Sequence, residues 1–238
     1  MISYKKALEI NPKYSEAYNN LGNVYLELNQ LDSAIKSYQS AIKINPDYPA
    51  LHNNLGNAYK KLGQLNDALK SYSKGLTYNP DFIDLLNNLG VVLNDLERFD
   101  EAVVNYERAI TIKPDYAEAH NNLGVTYNKL GKLEEAVQSY ERALTIDPDY
   151  ADTYNNLGVA LKKLGQVDRA IKCYKKALDI NPDDADTHNN IGIAFDELER
   201  LDEAIQSYNR AVSIQPDLAE AYNNLGHTLC KLNRYQEA

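Results

Sequence analysis

Apolar residues recur along this chain with the spacing of an α-helix, and they do so in pairs of segments. One segment runs from Tyr18 to Leu28 and the next from Leu31 to Ile42, each with apolar side chains three and four residues apart. These spacings place the apolar side chains on one face of a helix. Pro46 follows the second segment, and a proline ends the helix before it. The pattern predicts two amphipathic helices followed by a break.

The pair of helices repeats every 34 residues without insertion. With Ser15 taken as repeat position 1, the complete units are residues 15–48, 49–82, 83–116, 117–150, 151–184 and 185–218. Residues 1–14 form the second helix of a truncated unit, and residues 219–238 form another truncated unit. A fixed period of this length is typical of proteins built by stacking one small unit. We therefore predict a single all-α array over residues 1–238.

The turns contain residue types that occur at helix ends. An acid three residues after an aspartate, as in Asp115–Glu118 and Asp217–Glu220, predicts a capping box at the start of the first helix. Repeat position 18 is Asp or Asn in most units, which predicts the N-cap of the second helix. Position 15 is Gly or Asn in most units, Asn233 among them, and these residues predict a left-handed C-cap. Glu97 and Glu199 occupy the same position and are exceptions.

Small and aromatic residues occupy fixed places in the unit. Position 8 is Gly and position 20 is Ala in every copy. A glycine inside a helix costs about 1 kcal/mol relative to alanine, so its recurrence predicts packing that leaves no space for a side chain. Position 24 is always tyrosine, which predicts a ladder of core tyrosines, namely Tyr4, Tyr38, Tyr72, Tyr106, Tyr140, Tyr174 and Tyr208.

A 34-residue unit with Gly at position 8, Ala at 20, Tyr at 24 and Pro at 32 resembles the tetratricopeptide repeat family. The resemblance extends over the whole chain in one register. It implies an α-solenoid, in which stacked helix pairs coil into a right-handed superhelix and the first helices line the concave side. It also implies a function in protein–protein recognition, with no chemistry in the repeats.

Two adjacent asparagines occupy positions 5 and 6 of every unit. A helical wheel places position 6 opposite the core and position 5 at the flank, nearer the next unit. The position-6 set resembles the groove asparagines of O-GlcNAc transferase arrays, which hold extended peptides. This resemblance implies a peptide-binding site at Asn20, Asn54, Asn88, Asn122, Asn156, Asn190 and Asn224. The alternative is that these amides bond to one another or to the adjacent helix. For the position-5 set we expect hydrogen bonds between repeats.

Charge and composition narrow the function. A net charge of −9 argues against a nucleic-acid-binding surface, and no apolar run reaches membrane-spanning length. Acids at position 2 in most units would repel a terminal carboxylate, which excludes a carboxylate clamp. Lys and Arg at position 26, opposite the core of the second helix, predict a solvated basic stripe on the outer face. The two cysteines, Cys173 and Cys230, form no paired motif, and the amino-terminal segment has no signal-peptide pattern. We expect a cytoplasmic protein.

No catalytic or cofactor motif is present in the sequence. His52, His120 and His188 share position 4, two repeats apart, which is too far for a common metal ion. We expect each ring to be packed and hydrogen-bonded at the edge of the core. The sequence predicts a protein that is not an enzyme and binds no cofactor or metal.

Two functions remain open. The first is a scaffold that binds an extended peptide segment along the asparagines. The second is the substrate-recognition arm of a larger enzyme, such as a protein O-glycosyltransferase. The copies are also uniform enough that the array could have a designed or consensus-tuned origin. The two truncated units also expose complementary faces, because position 21 (Met1) would follow position 20 (Ala238). We therefore expect head-to-tail stacking between copies of the chain.

Overall fold

The computed structural model describes residues 1–232, and every regular element in that range is an α-helix. The helices are α1 (Ile2–Ile10), α2 (Ser15–Glu27), α3 (Leu31–Ile44), α4 (Pro49–Lys61), α5 (Leu65–Tyr78), α6 (Ile83–Asp95), α7 (Phe99–Ile112), α8 (Ala117–Lys129), α9 (Leu133–Ile146), α10 (Ala151–Lys163), α11 (Val167–Ile180), α12 (Ala185–Glu197), α13 (Leu201–Ile214) and α14 (Ala219–Lys231). From α2 onward, even-numbered helices are the first helices of the units and odd-numbered helices are the second. The C-cap predicted at Asn233, and the end of the last truncated unit, lie outside the described residues.

The chain forms two compact units, Met1–Ala119 and His120–Ala238, with the boundary inside α8. In the first unit α2 pairs with α3, α4 with α5 and α6 with α7, and the pairs stack through contacts of α3 with α4 and α5 with α6. In the second unit each helix from α9 to α14 packs against the next. The pairs are joined by short turns and stack in sequence order, as in an α-solenoid.

The predicted tyrosine ladder forms the centre of the stack. The six tyrosines of α3, α5, α7, α9, α11 and α13 are each at most 1% exposed, whereas Tyr4 of α1 is partly exposed. Each ring lies against the position-8 glycine of its own unit. A methyl group added to Gly22 would lie 2.5 Å from Cε1 of Tyr38, and the same conflict occurs in the other units. The lack of space at position 8 is confirmed, and the neighbour that fills it is a tyrosine ring.

The alanines at position 20 are 0% exposed in every second helix from α3 to α13. His52 and His120 are buried, and His188 is partly buried. The Nε2 atom of His52 lies 2.7 Å from the carbonyl oxygen of Pro46, and that of His188 lies 3.0 Å from the carbonyl oxygen of Pro182. The prediction of packed, hydrogen-bonded rings is confirmed for these two residues.

The capping box predicted at Asp217–Glu220 and the N-caps predicted at position 18 are wrong, while the capping box at Asp115–Glu118 stays a prediction. α14 begins at Ala219 with Leu218 as its N-cap, and no side chain caps it, so Asp217 and Glu220 form no capping box. The second helices begin two residues earlier than expected, at position 17, and their N-caps are at position 16. Asp32 therefore lies inside the first turn of α3, whose N-cap is Gln30. The acid in the first turn complements the helix dipole there.

The turn between the two helices of a unit is the same in all described repeats. Position 15 adopts a left-handed conformation at Asn29, Gly63, Gly131 and Gly165, as predicted. Glu97 and Glu199 adopt it as well, with φ of 58° and 56°. Stacking of the two helices imposes this conformation even where the residue does not favour it.

Candidate functional site

The position-6 asparagines all lie on the first helices and are partly exposed, as the helical wheel predicts. Their side chains share one surface within each unit, which we call the asparagine face. In the first unit it includes Asn20, Asn54 and Asn88, and in the second unit Asn122, Asn156, Asn190 and Asn224. The neighbouring first helices that carry them also contact one another directly, α2 with α4, α4 with α6, α10 with α12 and α12 with α14.

The position-6 asparagine of one repeat donates a hydrogen bond to the position-5 asparagine of the repeat before it. The Nδ2 group of Asn54 donates to Oδ1 of Asn19 at 2.9 Å, and that of Asn88 donates to Asn53 at 2.9 Å. In the second unit the same bond joins Asn156 to Asn121, Asn190 to Asn155 and Asn224 to Asn189, at 3.2, 3.0 and 3.1 Å. The predicted inter-repeat role of the position-5 asparagines is confirmed, and their partners are the position-6 amides.

This bond fixes the orientation of these five position-6 amides. Its Nδ2 group points to the preceding repeat, so Oδ1 points away from it. Within residues 1–232 no other protein group donates to Oδ1 of Asn54, Asn88, Asn156, Asn190 or Asn224. An amide has two N–H donors and an oxygen acceptor. Each of these side chains therefore keeps one N–H donor and its acceptor for another molecule.

Three of the position-5 asparagines are buried. Asn87, Asn121 and Asn189 are 1%, 6% and 4% exposed. Oδ1 of Asn121 accepts a second bond from the hydroxyl of Thr153 at 3.1 Å, and Asn87 donates to the carboxylate of Glu118 at 3.0 Å. A buried amide with several partners holds neighbouring repeats in register.

A second contact between repeats lies nearer the helix ends. Lys163 donates to Oδ1 of Asn128 at 2.9 Å, and Lys231 donates to the carboxylate of Asp196 at 2.6 Å. These lysines are at position 13 and their partners at position 12 of the preceding unit. The charged positions at this edge of the asparagine face therefore join adjacent helices.

Repeat position 9 changes along the chain, from asparagine in the first two complete repeats to an apolar residue in the next four, beginning with Val91 of the first unit. Asn23 and Asn57 accept hydrogen bonds from the hydroxyls of Tyr38 and Tyr72, at 2.8 and 2.6 Å. The second unit has Val125, Val159 and Ile193 at this position, partly exposed and packed against the core. The buried hydroxyl of Tyr174 has no hydrogen-bond partner. Position 9 is one helical turn from position 6, so these side chains also belong to the asparagine face.

An open cleft of about 580 Å³ lies at Asn19 and Asn20 in the first unit. It is also lined by Tyr14 and Tyr48, which are 44% and 53% exposed. Both tyrosines are at position 34, the N-cap of a first helix. Sequence reasoning did not select them, although the exposed aromatic type at one repeat position was a usable signal.

The described residues contain neither a metal-binding cluster nor a membrane-spanning helix. No group of three or more His, Cys, Asp or Glu side chains in residues 1–232 is placed to hold a metal ion. No helix in that range is long and apolar enough to cross a membrane. The basic residues at position 26 are exposed on the second helices, where Arg108 pairs with Asp81 at 2.8 Å and Arg210 with Asp183 at 2.7 Å.

Stacked helix pairs with a period of 34 residues define an α-solenoid repeat protein. Models of the TPR repeat match residues 22–63, 56–97, 92–131, 126–165 and 194–233. Two models of the tetratricopeptide repeat match residues 151–184, and residues 3–36 and 173–206. The chain belongs to the tetratricopeptide repeat (TPR) family. No curated protein matches the sequence.

Several solved structures are similar. The APC/C hetero-tetramer Cut9–Hcn1 contains a chain with a TM-score of 0.82 at 19% identity, covering 96% of this chain and 45% of its own length. This chain thus spans less than half of that protein, and the likeness shows the fold alone. MamA matches at 27% identity and a TM-score of 0.63, covering 72% of this chain and 94% of its own. YrrB, described as a TPR protein with an unusual peptide-binding site, matches at 28% identity and a TM-score of 0.61, covering 76% of this chain and 93% of its own.

Proposed function

We propose that this protein is an interaction scaffold whose asparagine face binds an extended peptide segment. The observation that carries the proposal is the orientation of five position-6 amides, those of Asn54, Asn88, Asn156, Asn190 and Asn224, which keep a donor and an acceptor after bonding to the preceding repeat. An extended backbone has one N–H and one C=O per residue to satisfy. A row of identical amides can bond to such a backbone at successive repeats. The similarity to YrrB, a TPR protein with an unusual peptide-binding site, supports the same function.

The proposal is tested by replacing amides in the second unit. The probe is a fluorescent peptide selected from a random display library on the intact chain. The double variant Asn156→Ala, Asn190→Ala is expected to bind it about 30-fold more weakly, because two hydrogen bonds are lost at roughly 1 kcal/mol each. Thermal stability should change little, since alanine's higher helix propensity offsets part of the lost inter-repeat bonds.

The matched control is Asn209→Ala, the same substitution at an exposed asparagine of α13, a second helix. It should leave the affinity unchanged. If the double variant keeps full affinity and loses stability, the position-6 amides serve only to join repeats, and the proposed function is wrong.

The second candidate is the substrate-recognition arm of a larger enzyme such as a protein O-glycosyltransferase. The asparagine pair at positions 5 and 6 of every unit favours it, because it resembles the arrays of O-GlcNAc transferases. The complete reading frame of the gene tests this candidate. A glycosyltransferase domain in the same polypeptide would support it, and a stop codon without such a domain would exclude it.

A further inference from the structure

The second unit, His120–Ala238, has an apolar row beside its amides. The row consists of Val125, Val159 and Ile193, which are partly exposed and whose inner atoms pack on the core. Each lies three residues after a position-6 asparagine, on the same face of its helix. An apolar surface and a row of hydrogen-bonding amides therefore run side by side across α8, α10 and α12.

Packing of the fold does not require this row to be apolar. In the first two complete repeats, Asn23 and Asn57 occupy the same position and accept the tyrosine hydroxyls beneath them, whereas the third repeat already has Val91 there. In the second unit Tyr174 is 0% exposed and its hydroxyl has no partner. A buried donor without an acceptor destabilises a protein. Asparagine at position 159 would suit the fold at least as well as valine, so the apolar residue is better explained by what the surface contacts.

The spacing of the row restricts the shape of the ligand. Helices in contact, such as α10 and α12, have axes about 8–10 Å apart. A polyproline II helix has three residues per turn and rises about 3.1 Å per residue, so the same face returns about every 9 Å. A β-strand presents the same face about every 7 Å. A polyproline II segment lying across the first helices can therefore place every third side chain on successive members of the row.

The edge of this surface is acidic. Asp152, Asp186 and Glu220 are exposed at position 2 of α10, α12 and α14, one helical turn from the amides. They repeat with the same spacing as the apolar row. A polyproline II helix has three residues per turn, so the residues that follow each apolar residue of the peptide also lie on one face of that peptide. Basic side chains on that face complement the carboxylates.

We propose that the second unit binds a polyproline II segment with an apolar residue at every third position and a basic residue beside it. The apolar side chains contact Val125, Val159 and Ile193, and the amides of the asparagine face bond to the peptide backbone. The proposal rests on the proposed function and specifies its ligand.

The test uses fluorescence anisotropy with the intact chain and two labelled peptides. One contains four Val-Pro-Lys triplets, and the other has the same composition in an order without a period of three. The triplet peptide is expected to bind about tenfold more tightly or better. The triple variant Val125→Asn, Val159→Asn, Ile193→Asn is expected to remove this preference.

The control variant is Val104→Asn, the same substitution at a valine that is 64% exposed on the second helix α7. It should leave both affinities unchanged. Thermal unfolding of the triple variant checks its fold, and its midpoint should be equal to or above that of the natural chain, because Tyr174 gains an acceptor.

Equal binding of the two peptides, or an unchanged preference in the folded triple variant, would overturn the proposal. A third peptide with Glu in place of Lys should bind more weakly. Equal binding would show that the basic residues of the ligand do not contact the acidic edge, and that part of the proposal would be wrong. If both triplet peptides fail to bind while peptides selected from the random library bind through Asn156 and Asn190, the ligand class is wrong and the proposed function stands. If no extended peptide binds, both are wrong.

Discussion

At the scale of single residues, the contact between Gly158 and Tyr174 sets how closely the two helices of a repeat can pack. A methyl group at Gly158 would lie 2.5 Å from Cε1 of the Tyr174 ring, which is itself 0% exposed. A fully buried ring has no free space into which it can move. The helix must therefore accept glycine at a position where alanine would otherwise be preferred.

We predict that Gly158→Ala destabilises the chain by about 1–3 kcal/mol, the usual cost of overpacking a core. Helix propensity alone predicts a change of about 1 kcal/mol in the opposite direction, so the sign separates the two effects. Urea unfolding followed by circular dichroism measures it.

The control for this prediction is Gly165→Asn. Gly165 has a φ of 73° with nothing within 4 Å of an added Cβ, and Asn29 already adopts this conformation in α2's turn. The control should change stability much less than Gly158→Ala. A Gly158→Ala protein that is more stable than the natural chain would show that the ring moves aside.

At the scale of elements, the turn between α12 and α13 contains a glutamate in a glycine conformation. Glu199 has a φ of 56°, while Gly63, Gly131 and Gly165 occupy the equivalent turns elsewhere. A non-glycine residue in this region destabilises the fold by about 1–2 kcal/mol. Glycine avoids that strain, but it loses more conformational entropy on folding, which offsets part of the gain.

We predict that Glu199→Gly stabilises the chain by about 0.5–1 kcal/mol, seen as a higher midpoint in calorimetry. Asn29→Gly is the matched comparison, and its gain should be smaller because asparagine tolerates the left-handed region better than glutamate. A lower midpoint for Glu199→Gly would mean that the glutamate side chain stabilises the turn by other contacts.

At the scale of the whole molecule, the buried tyrosines make stability depend on pH. Burial raises the pKa of Tyr38 to about 12, with a smaller contribution from the charge of Glu27. Burial also raises the pKa of Tyr72, Tyr106, Tyr140, Tyr174 and Tyr208. In the unfolded chain these phenols lose their protons near about pH 10. The folded chain keeps its protons there, so ionisation favours unfolding.

We predict that stability is constant with respect to these groups below about pH 10 and falls as the pH rises above it, toward the raised pKa values of the folded state. Each tyrosine adds a slope of up to about 1.4 kcal/mol per pH unit. Calorimetric midpoints at increasing pH, with tyrosinate absorbance recorded in parallel, measure the effect.

Tyr174→Phe removes one of these groups together with its unpartnered hydroxyl. Its midpoint should fall less steeply with pH than that of the natural chain. A midpoint that stays level well above pH 10, about the ordinary tyrosine pKa, would show that the phenols ionise without unfolding the stack.

The sequence by itself determined the features that depend on local spacing. The 34-residue period, the two helices of each unit, the core tyrosines and the missing side chain at position 8 all follow from which residues recur on one helix face. The wheel also placed Asn156 and its equivalents on the surface. Such features are set within one helix or one helix pair, where the geometry is nearly constant.

Only the tertiary structure decided which groups pair across repeats and which stay available. Asn190 and Asn155 are joined through a bond between neighbouring helices, which leaves Oδ1 of Asn190 as an acceptor. The N-cap of α3 is Gln30, and Asp32 lies in the first turn of the helix and not at its cap. The hydroxyl of Tyr174 has no partner, whereas those of Tyr38 and Tyr72 donate to asparagines at position 9. These outcomes depend on distances between helices, which a helical period does not contain.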